Sequence, residues 1–396
     1  MAVIIEPKII VEKIELKINE NDENAAKNTV DTLGPTMPVV KINDYILSIG
    51  EVKDFKLNIG INKLPSFSIS VDDNNYRIRR ELKKSDLDKT VIFIGYKDWY
   101  IKFNGIILSI PSEAGDSSLY LEGKFFNPKL YESIQKSYNE KSITDVLKDI
   151  CTLTDMGLFT IENESLSNVL DFNLNTNKKH LIYFDWLIKN YTNNIWSVDT
   201  YGYFHVADIE SLRKQKIDKF SIFDGKKVSE KDIIITTDNY YANEETKDKF
   251  KVEYYTINSN IGSVIVNNNK DYEIQSSGLN SEIKKLKSNA LGFSSESNNT
   301  FDRFLKTTFT NYLDIINKDI GGKVISLSMS DLIYEITPFS IVKLEVFLPK
   351  LEGTKILLDE ENSGNKIVIN YSFEYKSAGG EEEEKFPKIR QYIDLI

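Results

Sequence analysis

The sequence predicts a mainly β protein with an α+β insertion near its middle. Three observations predict this. Short runs with an apolar–polar alternation recur through residues 37–134 and again through 216–378, separated by turn residues, as in barrels and sandwiches. Between these blocks, residues 135–215 switch to helical spacing. The chain has 396 residues, 41% hydrophobic and 28% charged, enough apolar surface for several cores.

Residues 1–36 open the chain. Val3, Ile5, Ile9, Val11, Ile14, Leu16 and Ile18 alternate with polar residues over 2–18, one long strand or two short ones, with Ile4 and Ile10 breaking the period. A polar stretch with Gly34-Pro35 punctuation follows as a linker. The first block, 37–134, holds six or seven strands: 39–42, 44–49, 54–61, 67–73, 90–98, 99–110 and 119–126. Strands of this number and spacing predict a closed barrel or a sandwich.

In 135–215 Ser142 is placed to cap a helix, with Asp145 at its positive end and Ile143, Val146, Leu147, Ile150 and Cys151 on one face. A second short helix is predicted over 182–190, with Phe184, Trp186 and Leu187 inward, before a hairpin over 195–208. The second block, 216–378, resumes strands at 219–223, 232–238, 249–257, 262–268 and 270–275. One helix fits within 281–291. Thr300 caps a stronger one over 301–320, whose Phe301, Phe304, Leu305, Phe309, Tyr312, Leu313 and Ile316 form a stripe. Strands at 324–330, 340–349, 354–359 and 366–375 complete the block. Residues 379–396 comprise an acidic loop, with Glu381, Glu382, Glu383 and Glu384 in a row, and a last strand. The rhythm of 90–110 returns in 340–375, which raises a two-fold internal repeat as an expectation.

Composition narrows the chemistry. A net charge of −10 with only six Arg argues against a protein that grips nucleic acid tightly. One cysteine excludes internal disulfides, and two histidines leave little for zinc or a nucleophilic triad. The N-terminus has no secretory layout and no run approaches a membrane span, so a chain without a membrane anchor is expected. Cys151 would be a nucleophile only with His180 or His205 beside it and reads instead as a buried, inert thiol, and His205, with Asp208 three residues on, as a strand-face residue. Arg77, Arg79 and Arg80 with Lys83 and Lys84 form the one Arg cluster, read as a solvated patch after a strand or as a grip on a phosphate or an acidic neighbour. Gly379-Gly380 followed by four glutamates reads as a soluble loop or a segment that folds against a partner. No nucleotide, serine-hydrolase or zinc-protease motif occurs, and no catalytic, cofactor-binding or metal-ligating residue is expected.

The order of parts, with S-I-T-D-V-L-K-D-I at 142–150, F-D-W-L-I-K-N at 184–190 and I-W-S-V-D…G-Y-F-H-V at 195–206, resembles the baseplate hub proteins of contractile phage tails. Their relatives include the late-control D proteins and the hub half of type VI spike proteins. The resemblance implies two tail-tube-like β-barrels joined by a small α+β domain, with three chains forming a ring. That ring would adapt a six-fold tail tube above to a three-fold spike below, beside other baseplate proteins, in the virion tail baseplate. It implies binding without catalysis and no cofactor. Because this chain has no repetitive spike and no lysozyme or peptidase pattern, those parts are expected on a separate protein. DNA passing through the lumen would meet an acidic chain and not be held. The strand over 2–18 is a candidate arm for pairing with a neighbouring copy. Two other readings stand beside this one: a muralytic tail enzyme using a carboxylate pair, and a β-rich receptor- or glycan-binding protein using aromatic platforms. For the second, Trp99, Trp186 and Trp196 are the tryptophans at hand, and the last two read as core.

Overall fold

The computed structural model describes residues 2–5, 37–42, 45–47, 51–74, 76–82, 90–96, 99–109, 117–125, 127–134, 136–138, 140–161, 163–169, 174–175, 178–199, 202–214, 234–237, 249–259, 262–266, 272–276, 323–330, 336, 338–348, 357–377 and 388–396. In chain order, β1 (Ala2–Ile5) is followed by β2 (Met37–Ile42), β3 (Tyr45–Leu47), β4 (Val52–Gly60) and β5 (Ser66–Asp72). The helix α1 (Arg77–Leu82) precedes β6 (Thr90–Tyr96), β7 (Trp99–Ser109) and β8 (Ser118–Phe125). A 3₁₀ turn at Pro128–Tyr131 leads to β9 (Ser137–Tyr138), α2 (Ile143–Leu153), β10 (Gly157–Ile161), α3 (Glu164–Ser167) and β11 (Leu174–Asn175). Next come α4 (His180–Tyr191), β12 (Ile195–Val198), β13 (Tyr203–Ala207) and α5 (Ile209–Lys214). Then β14 (Ile234–Thr236), β15 (Lys249–Lys251), β16 (Tyr254–Ser259), β17 (Gly262–Val266) and β18 (Tyr272–Ser276) follow. The last four are β19 (Lys323–Met329), β20 (Ile341–Glu345), β21 (Gly364–Lys376) and β22 (Lys388–Leu395). The protein is mainly β, as the alternation predicts.

The middle unit is built as its sequence demands. Ser142 accepts the Asp145 N–H at 3.1 Å and starts α2, whose buried Ile143, Val146, Leu147, Ile150 and Cys151 are the residues at helical spacing. The sheet order is β1-β10-β13-β12, with β10 and β13 parallel and the other two pairings antiparallel. Its helix-facing side stacks Phe204 on Phe184 of α4 at 4.1 Å, and Trp196 donates its indole N–H to Asp185 at 2.7 Å. Trp186 and Trp196 are both buried, as read from sequence.

One sheet of 14 strands spans both β blocks. Its spine is a strip of eight strands, β16-β19-β22-β21-β4-β5-β8-β7, each antiparallel to the next. The seam between the blocks is β4 against β21, paired from Asp54–Lys376 to Gly60–Asn370. Two strands turn corners. β7 pairs with β6 up to Gly105 and with β8 from there on. β21 pairs with β20 up to Ile367 and with β22 from Val368. In both halves the four strip strands, taken in chain order, lie as first, second, fourth, third.

A second cluster of buried residues joins the middle unit to the strip: Ile161, Ile195 and Ala207 meet Phe339, Ile367 and Ile369. Here the loop after β4 completes the edge of β12. Asn62 donates its N–H to the Trp196 carbonyl at 2.6 Å and accepts the Trp196 N–H on its side-chain oxygen at 3.2 Å. Asn62 sits at φ 55°, a conformation asparagine adopts more readily than most residues.

Several expectations change. The Arg cluster lies on a helix not expected from the sequence, Arg77–Leu82, whose Ile78 and Arg79 N–H groups are held by Asp73 at 2.8 and 3.1 Å; Arg77 and Arg80 are exposed, as a solvated patch requires. The run 249–257 is not one strand, because β15 joins β14 in parallel while β16 joins β19. Residues 2–5, expected in an arm for a neighbouring copy, pair instead with β10 of their own chain. The rest of the 2–18 segment, strand 219–223, the helices at 281–291 and 301–320, Lys83, Lys84 and the Glu381–Glu384 run lie outside the described residues.

Candidate assembly surface

The strip has two faces, and register assigns each residue to one. On one face Phe55, Ile69, Leu121, Phe373, Ile393 and Leu327 are buried at 3% exposure or less. On the other, the positions between them are polar: Lys56, Ser68, Glu122, Glu374 and Arg390 lie exposed or half-buried.

The strip ends in two edges. At one end β16 pairs with β19 along its whole length, and among the described residues no strand lies on its other side. Tyr255 and Ile257 stand opposite Leu327 and Ile325 on the core face, yet are 40% and 38% exposed, while their partners are each 2% exposed. Tyr254, on the polar face, is 66% exposed, with the Arg390 guanidinium 6.0 Å from its ring centre. At the other end the stretch of β7 from Gly105 to Ser109 pairs with β8 on one side, and no described strand lies on the other. Unpaired strand edges of this kind are templates for another chain.

The chemistry-bearing residues singled out in the sequence do not converge. Cys151 is fully buried in α2, and burial pushes its thiol well above the usual range, away from the thiolate a nucleophile needs. The His180 ring contacts the Lys129 carbonyl at 2.9 Å, and the His205 ring contacts Asp199 at 2.9 Å. His205 therefore answers to Asp199, and not to the Asp208 of its sequence neighbourhood, which caps α5 through the Ser211 N–H at 2.7 Å. Arg79 reaches the Ser118 carbonyl at 2.7 Å and Arg77 meets Glu51, so both tie α1 to its surroundings. Among the described residues no cluster of three His, Cys, Asp or Glu side chains could hold a metal, and no helix is long and apolar enough to cross a membrane. Sequence reading missed Asp149. Burial raises its carboxyl, but hydrogen bonds from Lys136 at 2.7 Å and Tyr138 at 2.6 Å, with the Lys136 charge, bring it below the usual range. The same contact, added to burial, pushes the Tyr138 hydroxyl far up.

No protein-family model and no curated protein sequence matches the chain. Solved structures do. A tail protein from Neisseria meningitidis superposes with a TM-score of 0.50 at 10% identity, over 91% of this chain and 96% of the other. The chain has the fold of that tail protein. A 43 kDa tail protein of prophage MuSo2 from Shewanella oneidensis matches at TM-score 0.49 and 9% identity, over 92% and 98%. A type VI secretion component from E. coli, described as similar to T4 bacteriophage tail proteins, matches at 0.46 and 8%, over 90% and 76%.

Proposed function

We propose that this chain is a structural hub of a contractile tail or injection machine. Three copies form a ring that joins a six-fold tube on one side to a three-fold spike on the other. The observation that carries the reading is the eight-strand strip with an edge at each end. Because the strands alternate in direction and their number is even, the two end strands, β16 and β7, run opposite ways. Adding β16 of one copy to the β7 edge of the next therefore continues the antiparallel ladder without a break. A head-to-tail contact repeated in this way closes into a ring when its rotation divides the circle. The exposed Tyr255 and Ile257 would then gain the cover their core-face position calls for. The shared strand order of the two halves supports the count: each copy presents the tube with two similar four-strand panels, and three copies present six. The work is binding, not catalysis, and it takes place in the tail baseplate, with tube, spike and other baseplate proteins as partners.

Mass photometry and negative-stain microscopy of the purified chain, alone and with a cognate spike, test this. The expected particle is a three-copy toroid with a six-lobed outline. The double variant Tyr255→Lys/Ile257→Lys should leave a folded monomer that no longer closes. A wild-type chain that stays monomeric under both conditions overturns the proposal, as does a muralytic zymogram band lost on a single carboxylate substitution.

A further inference from the structure

We infer that the polar face of the strip is a passage wall that fails to hold polyanions because it carries as many carboxylates as cations, with Lys53, Lys56 and Arg390 each paired to one, and not because it is acidic. The inference rests on the hub reading and further assigns this face to the bore of the ring.

The chain carries a net charge of −10, yet that excess is absent from this face. Along β22, the strip part of β21 from Val368, β4, β5 and β8, with Glu253 just before β16, the described cations are Lys53, Lys56, Lys124, Lys376, Lys388 and Arg390. Against these six stand Asp54, Asp72, Glu122, Glu253, Glu374 and Asp394, also six, so the sum is zero. Their order matters as much as their number. Arg390, Glu374, Lys56, Ser68 and Glu122 are directly opposed, strand to strand, in one row across five strands. Lys56 is bonded to Glu374. Arg390 lies 3.5 Å from Glu253 and over the Tyr254 ring. One row along, Asp54 opposes Lys376, and at the margin Lys53 meets Asp72 at 3.6 Å. The Asp394 carboxylate accepts from the Asn370 amide at 3.0 Å.

Tight contact with a nucleic-acid backbone draws its free energy from cations that displace counterions from phosphate. A lysine already matched by a carboxylate displaces far less, since the phosphate must compete with a partner held in place by the sheet. Six cations per copy would otherwise make this face adhesive. The pairing removes that hazard while keeping the wall hydrated.

The test uses the full chain and a short fluorescent duplex DNA at low salt, read by anisotropy. Wild type should not bind. Removing the carboxylates isosterically in Glu122→Gln/Glu253→Gln/Glu374→Gln should create binding at least ~10-fold tighter, falling steeply as salt rises. Adding Lys56→Gln and Arg390→Gln to that variant should abolish it. Ser68→Lys, which places an extra cation in the row without removing any partner, provides a second route to the same gain. Circular-dichroism melts establish that each variant is folded. Wild-type binding that Lys56→Gln/Arg390→Gln removes overturns the inference, and so does a folded triple variant and a folded Ser68→Lys that both stay inert. Ring formation is scored separately by mass photometry. Absent rings with the expected DNA results retire the hub reading alone, and rings with the opposite DNA results retire only this inference.

Discussion

In the half of the strip built from β4, β5, β8 and β7, the core-facing Phe55, Leu57, Ile69 and Leu121 are each sealed to 1% exposure or less. In the half built from β16, β19, β22 and β21 the sealing stops one strand short. Ile325 and Leu327 of β19 are covered, but Ile257 and Tyr255 beside them are not. The connections differ too. Five residues link β4 to β5, and their Asn62 is locked onto the middle sheet; 63 residues lie between the end of β16 at Ser259 and the start of β19 at Lys323. The same strand order thus covers the core-face side chains of β4, β5 and β8 but leaves those of β16 facing outward. The β16 edge is where a neighbouring copy has something to gain.

One chemical change at a covered and at an uncovered core-face position tests this most sharply. Ile69→Ala should cost about 2–5 kcal/mol in urea unfolding, the transfer term plus a cavity. Ile257→Ala in the monomer should cost no more than about 0.5 kcal/mol, as for other exposed positions. Equal costs would erase the distinction. Next in size, Asn62→Gly keeps the backbone conformation but deletes the bond to the Trp196 N–H, leaving a buried donor unmatched. The expected loss is about 1–3 kcal/mol, with faster hydrogen exchange at Trp196. Unchanged exchange there would show that the loop is not what holds β12.

The smallest effect concerns the flank of the second half. Burial raises the Glu345 carboxyl, but hydrogen bonds from Lys249 at 2.9 Å and from Lys343, with both charges, bring it below the usual range. A carboxyl lowered on folding adds stability that is fully present above its unfolded value and lost as pH falls through its folded one. The unfolding midpoint should therefore fall more steeply between neutral and strongly acidic pH in wild type than in Glu345→Gln. Parallel curves would remove Glu345 as a contributor.

Local rules made much of this legible. Ser142 followed by Asp145 and a 3.6-residue apolar spacing defined α2, and the strand-forming runs 54–61 and 67–73 placed β4 and β5. The Arg77–Leu82 helix escaped notice because its start depends on Asp73 accepting two backbone N–H groups, and an aspartate in a run of Asp and Asn reads equally well as a turn. The break between β15 and β16 escaped because both sides keep strand-forming residues, and only their partners differ.

The sequence by itself determined that the chain is mainly β, with α2 and α4 in its middle, and where α2, β4 and β5 lie. These follow from periodicity and residue type, which act over a few neighbours. Tertiary structure alone decided that β4 lies against β21, some 300 residues away in the chain, that His205 meets Asp199, and that β16 is left at an edge. Backbone hydrogen bonds are the same for every residue pair, so which strand meets which is written in the packing of whole faces and not in any local run.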